Sequence, residues 1–233
     1  MKVIYRISDA GYNKVKPNYI NNESCLKNFC NAFYEYIHDI NIIADNVSDA
    51  TYSMIRKYID PINIERVSVG HGAGTFNLAL TKALKWNNDE IVYFVENDYL
   101  HRQGADFMLL QAFKTINPDY VTLYDHPDKY IPANKGGNPY IDEDGGEITK
   151  LYCSGDCHWK LTNSTTMTFA ANVNTLKEDE LIFRKWTEGS YPNDFQIFLE
   201  LREKGRTLVS SVPGYATHGE SKWLSPLTDW SSI

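Results

Sequence analysis

Apolar and polar positions in the first half of the chain follow a repeating order of short apolar runs and amphipathic segments. The runs are rich in β-branched residues and continuous rather than alternating, which is typical of strands covered on both faces. The predicted strands are residues 2–7, 40–45, 64–70, 90–96 and 120–125. The predicted helices, whose apolar residues recur at helical spacing, are residues 23–39, 49–59, 74–86 and 102–116. Strands that alternate with helices predict right-handed βαβ units and a mostly parallel sheet.

This pattern changes after residue 125. Residues 125–150 are rich in Pro, Gly, Asp and Asn, so we predict a long loop or hairpin region there. Beyond it, the pattern predicts strands at 164–172 and 206–212, helices at 176–186 and 192–205, and an irregular tail. We therefore expect an α/β fold in a single domain, 1–233, with a nucleotide-binding type of half (1–125) followed by an α+β half (126–233).

Composition and charge narrow the class of protein. The 233 residues are 42% hydrophobic and 23% charged, as in globular proteins, and the net charge of −7 gives no electrostatic footprint for nucleic acid. No apolar run approaches the ~20 residues of a membrane span. The N-terminus predicts a first strand rather than a signal peptide. We expect a cytoplasmic protein with no nucleic-acid partner and no integral membrane segment.

The four cysteines are consistent with a reducing cytoplasm. Cys25 and Cys30 fall in a predicted helix, whereas Cys153 and Cys157 lie in the sequence CSGDCH. That spacing lacks the usual Cys-x2-Cys of zinc sites and has no second pair nearby. We expect reduced thiols, with a zinc or disulfide role for the second pair as the alternative.

An acidic stretch directly follows the fourth predicted strand. The apolar run 91–95 ends in Glu96, Asn97 and Asp98. Ligands of open α/β sheets bind beyond the carboxyl ends of the strands, where such groups can hold a divalent cation that bridges diphosphate oxygens. A solvated strand end that caps the next helix is the alternative interpretation.

Other polar residues fall at the same predicted edge of the sheet. They follow the first and second strands, and a glycine-rich turn follows the third, where backbone can approach a ligand closely. Each residue alone could be a helix cap or a turn residue, but their convergence predicts a site for base, ribose and phosphate. The predicted nucleotide contacts are Arg6, Ser8, Asp45, Asn46, Gly72, Asn77, Glu96 and Asn97.

Two stretches, HGAGTFNLAL (71–80) and VYFVENDYL (92–100), resemble motifs of the GT-A glycosyltransferases, the nucleotide-sugar-dependent enzymes of the large family-2-like group. The order of elements over residues 1–125 and the chain length are also similar, as in the small glycosyltransferases of large algal viruses and bacteria. The resemblance implies a GT-A-type, Rossmann-like, mostly parallel sheet flanked by helices, with an acceptor-binding second half. The sequence departs from the family motif, Asp-x-Asp, because Glu96 stands at the first position of that motif.

The resemblance also implies roles for individual residues. Asp98 would ligate Mn²⁺ or Mg²⁺, with His218 added to the metal shell. Asp194 would be the base that deprotonates the acceptor if the reaction inverts, with Glu188 as the second choice. The alternatives are an ordinary helix cap for Asp194 and a solvated loop histidine for His218.

Residues for the acceptor or the donor sugar are expected in the second half. Asp125 and His126 follow the fifth strand, and Trp159 and Trp223 could stack on the apolar faces of sugar rings, as could Tyr130.

We therefore expect a metal-assisted glycosyltransferase, hexosyl or pentosyl. It would move a monosaccharide from a nucleoside-diphosphate sugar, UDP-sugar foremost, to a hydroxyl of a glycan or glycoconjugate acceptor. A sugar-phosphate nucleotidyltransferase is an alternative. Such enzymes need a glycine-rich basic loop after the first strand, and here that segment has Lys14 and Lys16 but a single glycine. A non-catalytic carbohydrate-binding protein on the same fold is the third possibility.

Overall fold

The computed structural model describes residues 1–11, 14–154 and 156–233. The strands are β1 (Lys2–Ser8), β2 (Ile40–Asp45), β3 (Ile64–Val67), β4 (Ile91–Glu96), β5 (Tyr99–His101), β6 (Tyr120–Thr122), β7 (Leu151–Ser154), β8 (Cys157–Leu161), β9 (Phe169–Asn172), β10 (Leu208–Val212) and β11 (Ala216–His218). The α-helices are α1 (Asn22–Ala32), α2 (Asp49–Ile55), α3 (Gly72–Ala83), α4 (Ala105–Thr115), α5 (Val173–Trp186) and α6 (Asp194–Glu203).

A mixed nine-stranded sheet runs through the described residues in the order β3-β2-β1-β4-β9-β6-β10-β8-β7. The first four of these strands are parallel, as the sequence predicts. Their order reverses beside β1, and such a reversal opens a crevice at the carboxyl ends of the strands. The register aligns the ends that matter, because Ser8 pairs with Asp45 and Arg6 pairs with Glu96.

The second half of the sheet is mixed rather than parallel. β9 lies antiparallel between β4 and β6, whereas β10 is parallel to β6. The β7–β8 hairpin then closes that edge with antiparallel pairing. A separate two-stranded sheet pairs β5 with β11.

Helices cover both faces of the central sheet. Alternate residues of β1 point to opposite faces: Tyr5 packs in a cluster with side chains from α1, α2 and α4, and Ile4 packs with side chains from α3, α5 and α6. Val92 and Tyr93 of β4 likewise point to opposite faces, Val92 into the cluster of Ile4 and Tyr93 into the cluster of Tyr5. Burial on both faces is why these strands are continuous apolar runs.

Some predicted boundaries are wrong. The helix predicted over 23–39 ends at Ala32 and continues as a short 3₁₀ turn over Tyr34–Asp39. Asn21 and Ser24 form a capping box at its start, so it begins at Asn22.

The long segment 125–150 contains 3₁₀ turns over Pro127–Tyr130 and Ala133–Lys135 rather than a hairpin. The buried ammonium group of Lys129 holds it to the body of the protein by donating to Asn163 Oδ1 at 2.6 Å and Ser164 Oγ at 2.7 Å. A buried charge with such partners fixes a loop that would otherwise have few contacts. No helix in the described ranges has the length and apolar character needed to cross a membrane.

Candidate functional site

A cleft of about 500 Å³ lies at the carboxyl ends of β1, β2 and β4. Among the residues predicted for the site, it is lined by Arg6, Ser8, Asp45, Gly72, Glu96, Asn97 and Asp98. An open depression of about 620 Å³, lined by Asp9, Asn46 and Arg66 among others, lies at the ends of β2 and β3. The structure thus brings most of the predicted strand-end residues together.

Arg6 joins the central strands to the glycine-rich turn. Its guanidinium lies 3.4 Å from Glu96 Oε1 and donates to the carbonyl oxygens of Gly72 at 3.2 Å and Met167 at 3.3 Å. The side chain is buried, so the charge of Arg6 is compensated within the protein. Arg6 therefore fixes the floor of the cleft.

Asp45 fixes the glycine-rich turn. Its carboxylate accepts from the backbone N–H of Val69 at 2.7 Å and of Gly70 at 2.9 Å. Gly70 has φ of +84°, a conformation that favours glycine. His71 then caps α3 by accepting from the backbone N–H of Gly74 at 3.0 Å. The turn before α3 is therefore held by Asp45, the residue predicted at this strand end.

Asn97 links two strand ends to α1. Its amide donates to the carbonyl of Ser8 at 3.2 Å and to the side chain of Asn22 at 2.5 Å. Asn46, with φ of +51°, accepts from the Ser68 hydroxyl. These amides shape the rim of the cleft.

Asp98 and His218 lie side by side because β5 and β11 pair. The register places Tyr99 opposite His218, and the His218 Nε2 atom lies 3.4 Å from Asp98 Oδ2. A Cβ at Gly219 would lie 2.6 Å from the Asp98 carbonyl oxygen, so this approach depends on glycine. The sequence-based pairing of Asp98 with His218 is thus reproduced in space.

Two ammonium groups contact the same pair. Lys16 Nζ lies 3.0 Å from Asp98 Oδ2, and Lys14 Nζ lies 4.0 Å from that oxygen and 3.0 Å from His218 Nε2. Burial raises the pKa of Asp98, but hydrogen bonding to His218 and the positive charges around it outweigh burial and hold the pKa well below its usual range. Asp98 is therefore ionised throughout the physiological range.

These residues do not fit a resident divalent cation. No group of three or more His, Cys, Asp or Glu side chains suited to a metal occurs among the described residues, so a cation at Asp98 and His218 would depend on the phosphate oxygens of a ligand for the rest of its coordination shell. Both predicted ligand atoms already face lysines. A divalent ion and an ammonium about 4 Å apart repel one another by roughly 8 kcal/mol at an effective dielectric constant of about 20.

Asp194 begins α6 and lies in the electrostatic field of this cluster. Burial, with help from the negative charge of Glu96, raises the pKa of Asp194 to about 6, while His218 and Lys14 act in the opposite direction. A carboxylate that titrates there can accept a proton near neutral pH. Neither Asp194 nor Glu188, the second choice for this role, is among the residues that line the cleft, but Glu188 is exposed whereas Asp194 is partly buried.

The structure places two residues predicted to contact ligands away from the cleft. The Asn77 amide donates to the Thr187 carbonyl at 3.1 Å, and its oxygen accepts from Arg184 at 3.0 Å, so it joins α3 to α5 instead of facing the cleft. Trp159 is fully buried in β8 and packs in the core, out of reach of a sugar. Both side chains are therefore used for contacts within the protein and not for a ligand.

Asp125 is also unavailable to an acceptor in this structure. It is fully buried, 2.8 Å from Lys160 Nζ, and accepts from the Tyr130 hydroxyl at 2.7 Å. Lys160 also lies over the Tyr130 ring, 4.3 Å from its centroid. Asp125 therefore anchors the start of the 125–150 segment.

His126 and Trp223 belong to a group of neighbouring rings that includes Tyr124 and His218. Their rings are 5.2 Å apart, and the Tyr124 ring lies 4.9 Å from His126 and 6.3 Å from His218. Both side chains are partly exposed. Through Tyr124, the rings of His126 and Trp223 are linked to the ring of His218.

Sequence reasoning missed several residues of the cleft. Lys14, Lys16, His71, Thr75, Ser190 and Tyr191 all line it. The alternation of Lys14 and Lys16 was a usable signal, because residues i and i+2 of an extended segment project to the same side. The segment before α6 had no such signal, since only the fold brings it to the sheet edge.

No family model matches the sequence, and no curated protein matches it. Solved structures do match. GalNAc-T7, solved with UDP, GalNAc and Mn²⁺, superposes with a TM-score of 0.61 at 13% identity, over 96% of this chain and 44% of that one. The fold is the GT-A fold. S. aureus TarS gives a TM-score of 0.51 at 14% identity, over 90% of this chain and 35% of TarS.

A GT-A-like sheet is shared with one enzyme of another class. CMP:2-keto-3-deoxy-manno-octonic acid synthetase, solved with CTP, gives a TM-score of 0.50 at 12% identity, over 91% of both chains. The chain spans about half or less of the two glycosyltransferases named above. At these identities the likeness concerns the fold.

Proposed function

We propose that the protein is a glycosyltransferase that moves a monosaccharide, a hexose or a pentose, from a nucleoside-diphosphate sugar to a hydroxyl of a glycan or glycoconjugate. The observation that carries this proposal is the position of Asp194. The carboxyl group, with a pKa of about 6, begins α6 and interacts electrostatically with His218 and with Glu96 and Lys14, two residues that line the strand-end cleft of the GT-A fold. Such a group suits removal of the acceptor proton at neutral pH.

In this proposal the first half, 1–125, binds the donor and the second half, 126–233, binds the acceptor. The polar residues at the ends of β1, β2 and β4 and the glycine-rich turn hold the nucleotide. His126 and Trp223 contact a sugar from the acceptor side. Asp194 accepts the proton of the attacking hydroxyl as the bond from C1 of the sugar to the diphosphate oxygen breaks, which gives inversion at C1.

UDP is the preferred nucleotide of the proposal. GalNAc-T7 was solved with UDP, and a TarS structure with UDP-GlcNAc gives a TM-score of 0.50 at 11% identity, over 90% of this chain and 56% of that one. The GalNAc-T7 structure, which also contains Mn²⁺, favours a divalent cation. In this chain, the lysine contacts at Asp98 and His218 favour nucleotide binding without a divalent cation.

A sugar-phosphate nucleotidyltransferase is the second candidate, because the synthetase solved with CTP matches over nearly the whole length of both chains. Lysines in the segment after β1 suit a triphosphate as well as a diphosphate. Incubation of the protein with UDP-sugars separates the two functions. Slow release of UDP supports transfer, whereas release of pyrophosphate from a nucleoside triphosphate plus a sugar phosphate supports the alternative. If neither product forms and no nucleotide raises the melting temperature, both enzymatic proposals are wrong.

A further inference from the structure

We propose that Lys14 and Lys16 take the place of a divalent cation: they bind the diphosphate of the donor and neutralise the charge that develops on it as the sugar leaves. This inference rests on the proposed function and names how its donor site works. Its first support is position. Both lysines line the same cleft as Arg6, Glu96 and Asp98, at the carboxyl ends of the central strands.

The second support is what the lysines contact. Lys16 Nζ is 3.0 Å from Asp98 Oδ2, and Lys14 Nζ is 3.0 Å from His218 Nε2. These are the two atoms that the family resemblance assigns to the metal. An ammonium group 3.0 Å from His218 Nε2 occupies the space through which a metal would approach that nitrogen. The cationic charge of the cleft is thus supplied by side chains.

The third support is that the backbone fixes the lysine segment. The carbonyl of Val15, between the lysines, accepts from the backbone N–H of Ser221 at 2.9 Å, and the carbonyl of Pro17 accepts from that of Ile20 at 3.0 Å. Val15 itself is exposed, so the neighbouring side chains project from the other side of the segment, toward the cleft. The lysines are therefore held where a diphosphate would enter.

The chemistry balances without a metal. The bond between C1 of the sugar and the β-phosphate oxygen breaks, and its electron pair stays on that oxygen. A bond forms between C1 and the acceptor oxygen, whose proton passes to Asp194. The nucleoside diphosphate leaves with one additional negative charge, which two ammonium groups stabilise by charge-assisted hydrogen bonds.

Asp98 acquires a different role under this proposal. It orients the lysines through its contact with Lys16, and it competes with the diphosphate for them. Removing the negative charge of Asp98 should therefore have opposite effects on nucleotide binding in the two cases. Loss of a metal ligand weakens metal and nucleotide binding together, whereas loss of a competing carboxylate leaves an anionic ligand bound at least as tightly.

The experiment is calorimetric titration of the full chain with UDP, GDP, CDP, dTDP and CMP, in EDTA and then in MnCl₂. The variants are Lys14→Met, Lys16→Met, Lys16→Arg and Asp98→Asn. Lys57→Met is the matched control, because Lys57 is an exposed lysine whose ion-pair partner is Glu23, outside the cleft. Melting temperatures identify any variant that fails to fold.

We expect a nucleoside diphosphate to bind in EDTA, and each Lys→Met change in the cleft to weaken that binding about tenfold or more, the range of a charge-assisted hydrogen bond. Lys16→Arg and Lys57→Met should stay near wild type. Asp98→Asn should bind as tightly as wild type or tighter. If Asp98→Asn fails to fold, the lysine variants decide.

The contrary outcomes separate the two proposals. Binding that requires MnCl₂ and disappears in Asp98→Asn overturns the lysine proposal and leaves the glycosyltransferase proposal intact. Diphosphate binding in EDTA that is insensitive to both Lys→Met changes overturns it as well. Binding of CMP alone overturns the diphosphate-donor assignment, and the absence of binding by every nucleotide in both conditions overturns the proposed function itself.

Discussion

The His218 Nε2 atom lies 3.4 Å from Asp98 Oδ2, although the two residues come from opposite halves of the chain. The antiparallel pairing of β5 with β11 creates this contact. The cleft therefore depends on backbone pairing as much as on the identity of its side chains.

Gly219 is the position at which this dependence can be tested. We predict that Gly219→Ala weakens nucleotide binding and lowers stability by about 1–3 kcal/mol, the usual cost of overpacking. The added Cβ would lie 2.5 Å from Ile20 Cγ2 and 2.6 Å from the Asp98 carbonyl oxygen. Urea unfolding and nucleotide titration measure the two effects.

Gly189→Ala is the matched control, because a Cβ there meets no atom within 4 Å. It should leave both quantities unchanged. Equal behaviour of the two variants would mean that the approach of Gly219 to Asp98 is not tight.

The proposed role of Asp194 as a base predicts a pH dependence. With a pKa of about 6, its carboxylate form is lost as pH falls, so kcat/KM should decrease about tenfold per pH unit below that value and level off above it. Asp194→Asn should lower the rate of transfer by ~10² or more at neutral pH and abolish the decrease of kcat/KM at low pH. Donor binding should persist. Glu188→Gln, at an exposed position, should retain the activity and the profile.

The same carboxyl group predicts an effect on stability with a definite sign. The pKa of Asp194 is raised from 3.8 to about 6 in the folded protein, so the folded state retains a proton that the unfolded state releases. This favours folding below about pH 4 and is lost as pH rises through the folded pKa. Asparagine does not ionise, so Asp194→Asn should match wild type near pH 4 and exceed it by about 1–3 kcal/mol at pH 7.

Denaturant titrations of both proteins at several pH values measure this difference, since the contributions of groups that do not interact with Asp194 cancel. A constant difference between pH 4 and pH 7 would contradict the raised pKa.

Two tryptophans proposed for sugar contact should behave differently. Trp159 is fully buried in β8, so Trp159→Ala should lower the free energy of unfolding by about 3–5 kcal/mol. Trp223 is partly exposed beside His126, so Trp223→Ala should change stability less and raise KM for the acceptor. A loss of acceptor binding in a stably folded Trp159→Phe variant, with none in Trp223→Ala, would reverse this assignment.

The parallel half of the fold was predictable because its strands are buried on both faces. Continuous apolar runs such as 91–95 mark that environment, and the helices between them follow from apolar spacing. The β7–β8 hairpin and the β5–β11 pair were missed. Strands of three to five residues carry too few positions for a period, and β11 contains a Thr and a His that read as loop residues.

The site was predictable where it depends on strand ends, and less so where it depends on tertiary contacts. Asp98 and Asp45 follow from their strands, because parallel strands end at one edge. Asn77 was assigned to a ligand because it falls in the first turn of the helix after the glycine-rich turn, and Trp159 because of its residue type. Their partners in the structure, Thr187 for Asn77 and core side chains for Trp159, are distant in sequence. The lysines could be seen in the sequence, but not their contact with Asp98.

The pairing of β5 with β11 has a consequence for biogenesis. During synthesis on the ribosome, Asp98 emerges long before its partner His218, so β11 can dock only after the strands of the central sheet have been made. Until then the nascent chain has its sheet edge but lacks the contact between Asp98 and His218. A proteolytic cut just before Ala216 would leave the strands of the central sheet in one fragment and His218 in the other.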